Sequence, residues 1–325
     1  MVINTLKDAL FYVFLSKYGR KLVRASQKTL KNLRSSNSQP DLINGMERAL
    51  KRNKDMLYMC FKASDEGFKD FIPPWYLTQS KFTPEQSYFR FVEISIILLG
   101  EHNSFFNAFN ILLDKQTKKR YVLLAFLKRT YDDLLDEANA RPKDLFGGEP
   151  SEKLLPNLEY ALLLHLRQTI RRVTPYEQFP NYYNTLERTH NAQSRTPEKD
   201  NVKEVIFEKA RLSFLIDTYI MVNELSDKFI HARCLTAELF NCLDDFYDYE
   251  ADLSKGIWTY INQCSNPENA LREKYKEAAT YLRCVAPNPE PYLEDIFETM
   301  EGLIIARKQG LRKLSDVIYG NYNIE

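Results

Sequence analysis

The feature that most constrains the fold is a long succession of helix-period segments separated by short stretches that contain proline. Period-two alternation bounded by Asn-Gly or Asp-Gly turns is nearly absent, and the 325 residues include 14 prolines but only 10 glycines. Because strands require that alternation, the pattern predicts an all-α fold, an antiparallel helical bundle in a single domain over residues 1–325. The predicted helices lie at residues 4–34, 41–63, 84–113, 116–139, 154–173, 201–228, 231–253, 267–284 and 290–318.

Two helix starts carry explicit capping signals. Thr83 precedes a proline and is followed three residues later by Gln86, which is the pattern of a capping box, and Asn266 also precedes a proline. The longest irregular segment, residues 174–200, is polar and punctuated by prolines, so we predict that it is a loop.

The composition limits the classes of partner and compartment. The 45 Lys and Arg residues balance the 44 Asp and Glu residues, so no global charge favours a nucleic-acid partner. The five cysteines are odd in number, scattered and without a Cys-x-x-Cys pair, which favours a reducing cytoplasm over a disulfide framework. The first residues contain neither a cleavage signal nor an apolar run of transmembrane length. We therefore expect a cytoplasmic protein.

The N-terminal segment 17–34 is rich in Lys and Arg and contains no acidic residue. A basic helix of this kind is typical of peripheral contact with a membrane surface, and it is also typical of a solvated helix face. The sequence leaves both interpretations open.

The first acidic cluster ends an apolar helix. Asp132, Asp133 and Asp136 are followed by Glu137, and residues four apart share a helix face, so Asp132 lies beside Asp136. Like charges at this spacing repel, so the helix gains nothing from them unless a cation lies between them. A pair of carboxylates with open positions is what Mg²⁺ binds in proteins.

The second acidic cluster repeats this arrangement on another helix. Asp244, Asp248 and Asp252 lie four residues apart, so three carboxylates share one stripe. Lys255 and Gly256 follow, a cation and a helix stop. Either cluster alone is more typical of a solvated face, but the pair on separate aromatic-rich helices predicts a metal site.

These residues resemble a known family. The segment DDLLDE, residues 132–137, is similar to the first aspartate-rich motif, DDxx(D/E), of the class I isoprenoid synthases. The segment DDFYDYEAD, residues 244–252, resembles the second motif of terpene synthases, (N/D)Dxx(S/T)xxxE, with Asp248 where Ser or Thr is usual and Asp252 in place of Glu. It is equally similar to the DxxxD motif of squalene and phytoene synthases.

The resemblance implies a helical bundle around a deep cavity, with the two motifs facing each other at its mouth and three Mg²⁺ ions between them. A prenyl diphosphate is then the substrate, and its ionisation leaves an allylic carbocation. Basic side chains must also meet the diphosphate, and the candidates are Arg171, Arg172, Arg233 and Lys255. Aromatic side chains can line the cavity or form plain core; these are Phe105, Phe106, Phe109, Phe126, Phe240 and Tyr247.

Three functions remain open. A terpene synthase is favoured over a prenyltransferase that joins two isoprenoid units, because only Arg141 lies near the place where polyprenyl synthases carry an Arg-Arg pair. A non-enzymatic helical scaffold with solvated acidic stripes is the third, and a homodimer is compatible with all of them. An enzyme of this class needs a cover over its cavity mouth, and we expect that cover in residues 139–150, 174–200 or 254–267.

Overall fold

The structure is a computed structural model that describes residues 54–138, 154–193, 195, 197–198 and 200–308. These residues form eleven α-helices and one short 3₁₀ helix, Ile261–Gln263. In chain order the α-helices are α1 Lys54–Phe71, α2 Pro74–Gln79, α3 Pro84–Ala108, α4 Lys115–Ala138, α5 Leu158–Val173, α6 Pro180–Gln193, α7 Val202–Met221, α8 Asp227–Tyr247, α9 Tyr249–Lys255, α10 Pro267–Val285 and α11 Glu290–Lys308.

The described part of the chain contains no strand, so the predicted all-α class is confirmed. The predicted caps are confirmed as well. Thr83 Oγ1 accepts a hydrogen bond from Gln86 N at 3.2 Å, and Gln86 Oε1 accepts one from Thr83 N at 2.9 Å. Asn266 Oδ1 accepts from Asn269 N at 3.0 Å. These bonds satisfy backbone N–H groups that the first turn of a helix leaves without a partner.

Five of the helices form a closed ring. In the order α3, α4, α7, α8 and α11, each helix contacts the next, and α11 contacts α3. The other long helices pack outside this ring: α1 on α3 and α4, α5 on α4, α6 on α7, and α10 on α8 and α11. The ring therefore encloses the interior of a helical bundle.

Side-chain contacts show that α4 and α7 are antiparallel. Arg120, early in α4, donates hydrogen bonds to the carbonyl oxygens of Ile220 and Met221 at the end of α7, at 3.2 and 3.3 Å. Lys128, two turns further along α4, donates to Ser213 Oγ at 3.0 Å.

Helices α7 and α8 are also antiparallel. Arg211, in the first half of α7, donates to Glu238 Oε1 at 2.6 Å in the second half of α8. The Arg233 guanidinium, earlier in α8, lies 4.5 Å from the ring centre of Phe214, later in α7. Because α4 and α8 both run against α7, they are parallel to each other, and their C-terminal ends lie at the same end of the bundle.

The predicted loop over residues 174–200 is wrong at its centre, where Pro180–Gln193 forms α6. Tyr182, Thr185, Thr189 and Ala192 are buried, and their spacing of three or four residues is the helix period. Pro180 does not oppose the helix, because it occupies the first helical position. The polar residues of the other faces concealed this narrow stripe in the sequence.

Other helix boundaries also differ from the prediction. Helix α2 is absent from the prediction, and the helix predicted over 231–253 is divided at Asp248, where φ is −90° and ψ is 8°. The helix predicted over 84–113 ends at Ala108, shortly before Asn110, whose φ is 59°. Gly256 ends α9 with a φ of 67°, as the predicted helix stop requires.

Several predictions lie outside the described residues. They concern the helix over 4–34 with its basic segment 17–34, the first part of the helix over 41–63, and the predicted cover at 139–150.

Candidate functional site

The first acidic cluster occupies the last turns of α4. Asp132 is exposed and Asp133 is buried. Adjacent residues of a helix point about 100° apart, so the two carboxylates face different surroundings. The side chain of Asp136 lies outside the described residues.

Asp133 belongs to a buried ion-pair cluster. Its carboxylate contacts the guanidinium of Arg90 on α3, and its Oδ1 lies 3.0 Å from Arg129 Nη2. Arg90 also lies 3.3 Å from Glu159 Oε1 of α5 and donates to Tyr76 Oη at 2.8 Å. Because two guanidinium groups already neutralise it, Asp133 would have to leave these ion pairs to bind a metal ion.

The second acidic cluster continues across the break between α8 and α9. Asp248 N donates to Asp244 O, and Asp252 N donates to Asp248 O, both at 2.9 Å, so the three side chains remain on one stripe. Part of the Asp244 side chain is exposed, but the protein atoms packed around its carboxyl remove water from it and so raise its pKa. The charges of Asp248 and Asp252 raise this pKa further. Burial and the charge of Asp248 also raise the pKa of Asp252. The stripe is therefore a set of carboxylates that repel one another.

Asp245 is a residue of this cluster that the sequence analysis missed. Burial, followed by the charges of Asp244 and Asp252, raises the pKa of Asp245 to about 7. Its Oδ2 accepts a hydrogen bond from Asn241 Nδ2 at 3.0 Å. The signal available in the sequence was its position beside Asp244, but nothing local shows that it is half-buried.

Each acidic cluster contains an aspartate that lies on the same face of its helix as a buried residue of the bundle interior. Asp132 follows Tyr121 by eleven residues on α4, and Asp244 follows Arg233 by eleven residues on α8. Eleven residues make three turns with a drift of about 20° and a rise of about 16 Å. Tyr121 and Arg233 are both buried in the interior. The two clusters therefore lie about three turns beyond it, on inward stripes of two parallel helices.

Arg233, a predicted diphosphate ligand, is fully buried. Its Nη1 and Nη2 donate to the two carboxylate oxygens of Glu101 at 2.6 and 2.8 Å, and Tyr292 Oη donates to Glu101 Oε1 at 2.6 Å. Burial alone would raise the pKa of Glu101, but the charge of Arg233, with that of His102, holds it well below its ordinary value. Arg233 therefore neutralises a carboxylate inside the bundle, away from the acidic clusters.

The interior network extends to α7 and α4. Asp217 of α7 lies 3.3 Å from His102 Nε2 and 2.6 Å from Lys128 Nζ. Together with Glu101, Arg233 and Tyr292, these side chains come from every helix of the ring. The charges of the interior are thus compensated in pairs.

The interior is less tightly filled on the side of the network that faces the acidic clusters. Ile97, one turn before Glu101, is 59% exposed. Phe214 and Phe240 are half-buried, and their stacked rings lie 5.7 Å apart. Among the other aromatic residues that the sequence left open between cavity and core, Phe105, Phe106 and Phe126 are fully buried in the core.

The remaining predicted basic residues lie in two places. Lys255 is exposed at the end of α9, and its charge partly offsets the effects that raise the pKa of Asp252. Arg171 and Arg172 are exposed on α5. Arg171 and Asp132 line one cavity of about 420 Å³ between α4, α5, α6 and α7, and Arg172 is not among its lining residues.

A metal site is not preformed in the described residues, where no three or more His, Cys, Asp or Glu side chains are grouped to hold an ion. The donor chemistry nevertheless fits Mg²⁺, which prefers carboxylate oxygens and needs only one or two of them beside water and phosphate oxygens. Of the described carboxylates in the two stripes, Asp132, Asp244 and Asp248 are exposed and Asp252 is half-buried.

Comparison of the chain with known protein families, with curated proteins and with solved structures finds no match in any of the three. None of the described helices is long and apolar enough to cross a membrane.

Proposed function

We propose that the chain is a Mg²⁺-dependent class I isoprenoid synthase of the terpene synthase type. It would ionise a linear prenyl diphosphate and release pyrophosphate, with cyclisation or loss of a proton. One observation carries the proposal: the two acidic clusters lie at the same end of the bundle, on inward stripes of the parallel helices α4 and α8.

The carboxylates have distinct roles in this proposal. Asp132 and Asp136 would hold Mg²⁺ from α4, and Asp244, Asp248 and Asp252 would hold it from α8 and α9. Bound Mg²⁺ supplies the positive charge that makes diphosphate a leaving group. Desolvation, followed by the charges of neighbouring carboxylates, raises the pKa values of Asp244 and Asp252. This supports the assignment, because a bound cation relieves the repulsion between the carboxylates.

Other side chains would bind the rest of the substrate. Lys255, beside the second cluster, would contact a diphosphate oxygen as a point charge. Phe240, one turn before Asp244 on α8, and Phe214, whose ring stacks on it from α7, present aromatic faces that stabilise positive charge on carbon. An apolar interior also excludes water, which would otherwise quench a carbocation.

The test is a product screen by mass spectrometry, combined with a pyrophosphate assay, across prenyl diphosphates of ten to forty carbons. Asp244→Asn should lower Mg²⁺-dependent pyrophosphate release by more than about 100-fold, since even the partners of metal ligands are worth 10- to 100-fold. The matched control is Glu250→Gln, an exposed acid in the same segment but outside the stripe, which should retain activity.

The same assay separates the alternatives. Turnover that requires added isopentenyl diphosphate would assign a prenyltransferase. The ion pairs of Asp133 and Arg233 favour the non-enzymatic scaffold, because they use two predicted site residues to join helices. Absence of pyrophosphate release from every diphosphate in the presence of Mg²⁺ would support the scaffold and contradict our proposal.

A further inference from the structure

His102 of α3 lies at the centre of the interior network, and only 1% of its surface is exposed. Its Nδ1 lies 2.9 Å from the carbonyl oxygen of Leu98 and 2.6 Å from Glu101 Oε2. Both oxygens can only accept a hydrogen bond, because the low pKa of Glu101 keeps its carboxylate ionised. Nδ1 therefore carries a hydrogen atom and donates it.

The other ring nitrogen, Nε2, has two neighbours with opposite requirements. It lies 2.8 Å from Arg233 Nη2, which can only donate, and 3.3 Å from Asp217 Oδ2, which can only accept. One hydrogen of Arg233 Nη2 goes to Glu101 Oε2 at 2.8 Å, and the other is available to Nε2. Lys128 Nζ contacts the other oxygen of Asp217, Oδ1, at 2.6 Å. A neutral ring therefore satisfies Arg233 and a charged ring satisfies Asp217, but neither form satisfies both.

Titratable or charged side chains surround His102 and its partners on every side. They are Glu101 on α3, Tyr121 and Lys128 on α4, Asp217 on α7, Arg233 on α8, Tyr292 on α11 and, outside the ring, Cys60 on α1. Burial raises the pKa of Cys60 to about 11 and the pKa values of Tyr121 and Tyr292 well above their ordinary value, so these three groups stay protonated. Histidine is the side chain of this set that ordinarily changes charge between about pH 5 and pH 8.

The charge balance of the network depends on the His102 ring. With a neutral ring, the carboxylates of Glu101 and Asp217 balance the cations of Arg233 and Lys128. With a charged ring, the network gains one positive charge, and the imidazolium lies 2.8 Å from the Arg233 guanidinium. Like charges repel most strongly where water is absent, so uptake of a proton should separate Nε2 from Arg233 and draw it towards Asp217.

We propose that His102 is a proton-dependent switch in the bundle interior. Its neutral ring accepts a hydrogen bond from Arg233 of α8, and its charged ring donates one to Asp217 of α7. Because α7 and α8 are neighbours in the ring, the exchange moves one contact of α3 from one helix to the next. Two discrete arrangements that differ by one proton are the basis of histidine pH sensors.

The test is two-dimensional NMR of the full chain with ¹⁵N-labelled histidine, followed over the ordinary range of histidine titration, from about pH 8 to about pH 5. The other three histidines, His165, His190 and His231, are not buried, so a variant with all three replaced by glutamine retains only the ring signals of His102. We expect a neutral ring with its hydrogen on Nδ1 at high pH. Nε2 should gain a hydrogen as the pH falls, while circular dichroism remains helical.

Three results of this titration would overturn the proposal. The first is a His102 ring that keeps the same charge over the whole range. The second is a neutral ring that carries its hydrogen on Nε2, since such a ring cannot accept from Arg233. The third is unfolding of the chain as the proton binds, because the charged form is then not a state of the folded protein.

Two variants test the partners and have opposite expected signs. Asp217→Asn removes the carboxylate that accepts from the charged ring, so the proton affinity of His102 should fall by about tenfold or more. Lys128→Met removes the cation that neutralises Asp217, so the proton affinity should rise. The control is Glu204→Gln, an exposed acid of α7 that pairs with Arg195 and should leave the affinity unchanged.

Lys128 is partly exposed, so Lys128→Met decides the matter if Asp217→Asn does not fold. A proton affinity of His102 that is unchanged or lower in Lys128→Met would contradict the proposal by itself. None of these measurements involves Mg²⁺ or a diphosphate, so their outcomes do not depend on whether the chain releases pyrophosphate.

Discussion

The interior around Arg233 and the acidic end around Asp244 lie three turns apart on one helix. Carboxylates are paired with cations in the interior, whereas they lie beside one another at the acidic end. In the interior, the carboxylates of Glu101 and Asp217 each contact a cation, at 2.6 Å from Arg233 and from Lys128 respectively. At the acidic end, desolvation by the surrounding protein, followed by the charges of Asp248 and Asp252, raises the pKa of Asp244, and no cation among the described residues offsets these effects. Buried charges must be compensated to be tolerated, whereas exposed like charges cost only some tenths of a kcal/mol per pair.

This difference shows which acids are structural and which are available to a ligand. Asp133 resembles the interior group, because Arg90 and Arg129 neutralise it. Asp132, its neighbour in sequence, belongs to the exposed group. A single acidic motif therefore contains one residue that holds helices together and one that is accessible from solvent.

The largest effect should follow removal of the interior cation. Arg233→Met leaves Glu101 buried without its main partner, and we expect the free energy of unfolding to fall by about 3–5 kcal/mol. Urea denaturation followed by circular dichroism measures this change.

Arg211→Met is the control for that prediction, because Arg211 is exposed and its partner Glu238 retains Lys274 Nζ at 2.6 Å. We expect a loss below about 1 kcal/mol there. Equal losses in the two variants would show that the interior ion pair is no more important than a surface one.

A smaller effect is expected from pH at the acidic end. The pKa of Asp245 is about 7 in the folded protein against an ordinary value of 3.8, so the folded state binds the proton more tightly than the unfolded chain. The stabilisation is fully present below about pH 4 and is lost as the pH rises through 7. Between pH 5 and pH 8 we expect metal-free protein to lose roughly 2 kcal/mol through this carboxyl.

Asp245→Asn should remove that loss, and denaturation in EDTA at the two pH values measures it. The contribution of Glu101 to stability should change with pH in the opposite sense. Its pKa is depressed, so the stability that it contributes is present above its ordinary value of 4.5 and is lost at more acidic pH. If the free energy of unfolding of Asp245→Asn changes with pH as much as that of the wild type, the Asp245 carboxyl does not destabilise the folded protein at higher pH.

The smallest effect concerns closure over the acidic end. Leu253, Ile257 and Trp258 are each about half exposed beside the second cluster, within or next to the predicted cover at 254–267. In a Trp75→Phe background, Mg²⁺ with a non-hydrolysable prenyl diphosphate analogue should shift Trp258 fluorescence to shorter wavelength as the ring loses water. No shift, together with hydrogen-exchange protection confined to other segments, would place the cover elsewhere.

Local patterns account for what could be predicted. The all-α class, the caps at Thr83 and Asn266 and the stop at Gly256 all depend on hydrogen bonds between residues at most a few positions apart. The acidic stripes could be placed on helices for the same reason. Helix α6 was missed because its buried stripe is narrow and its composition is polar, so only packing against α7 stabilises it.

The sequence alone predicted the all-α class, the caps at Thr83 and Asn266, the stop at Gly256 and the four-residue spacing of the acidic clusters, because each is a property of one helix and its nearest neighbours. Tertiary structure decided which charges are compensated. Arg233 pairs with Glu101, which is 132 positions away in the chain, and Arg90 pairs with Asp133, which is 43 positions away. No local period encodes such pairs, because the partner of a buried charge depends on which helices pack together. Once the helices have packed, the free-energy cost of burying either charge without its partner stabilises that arrangement.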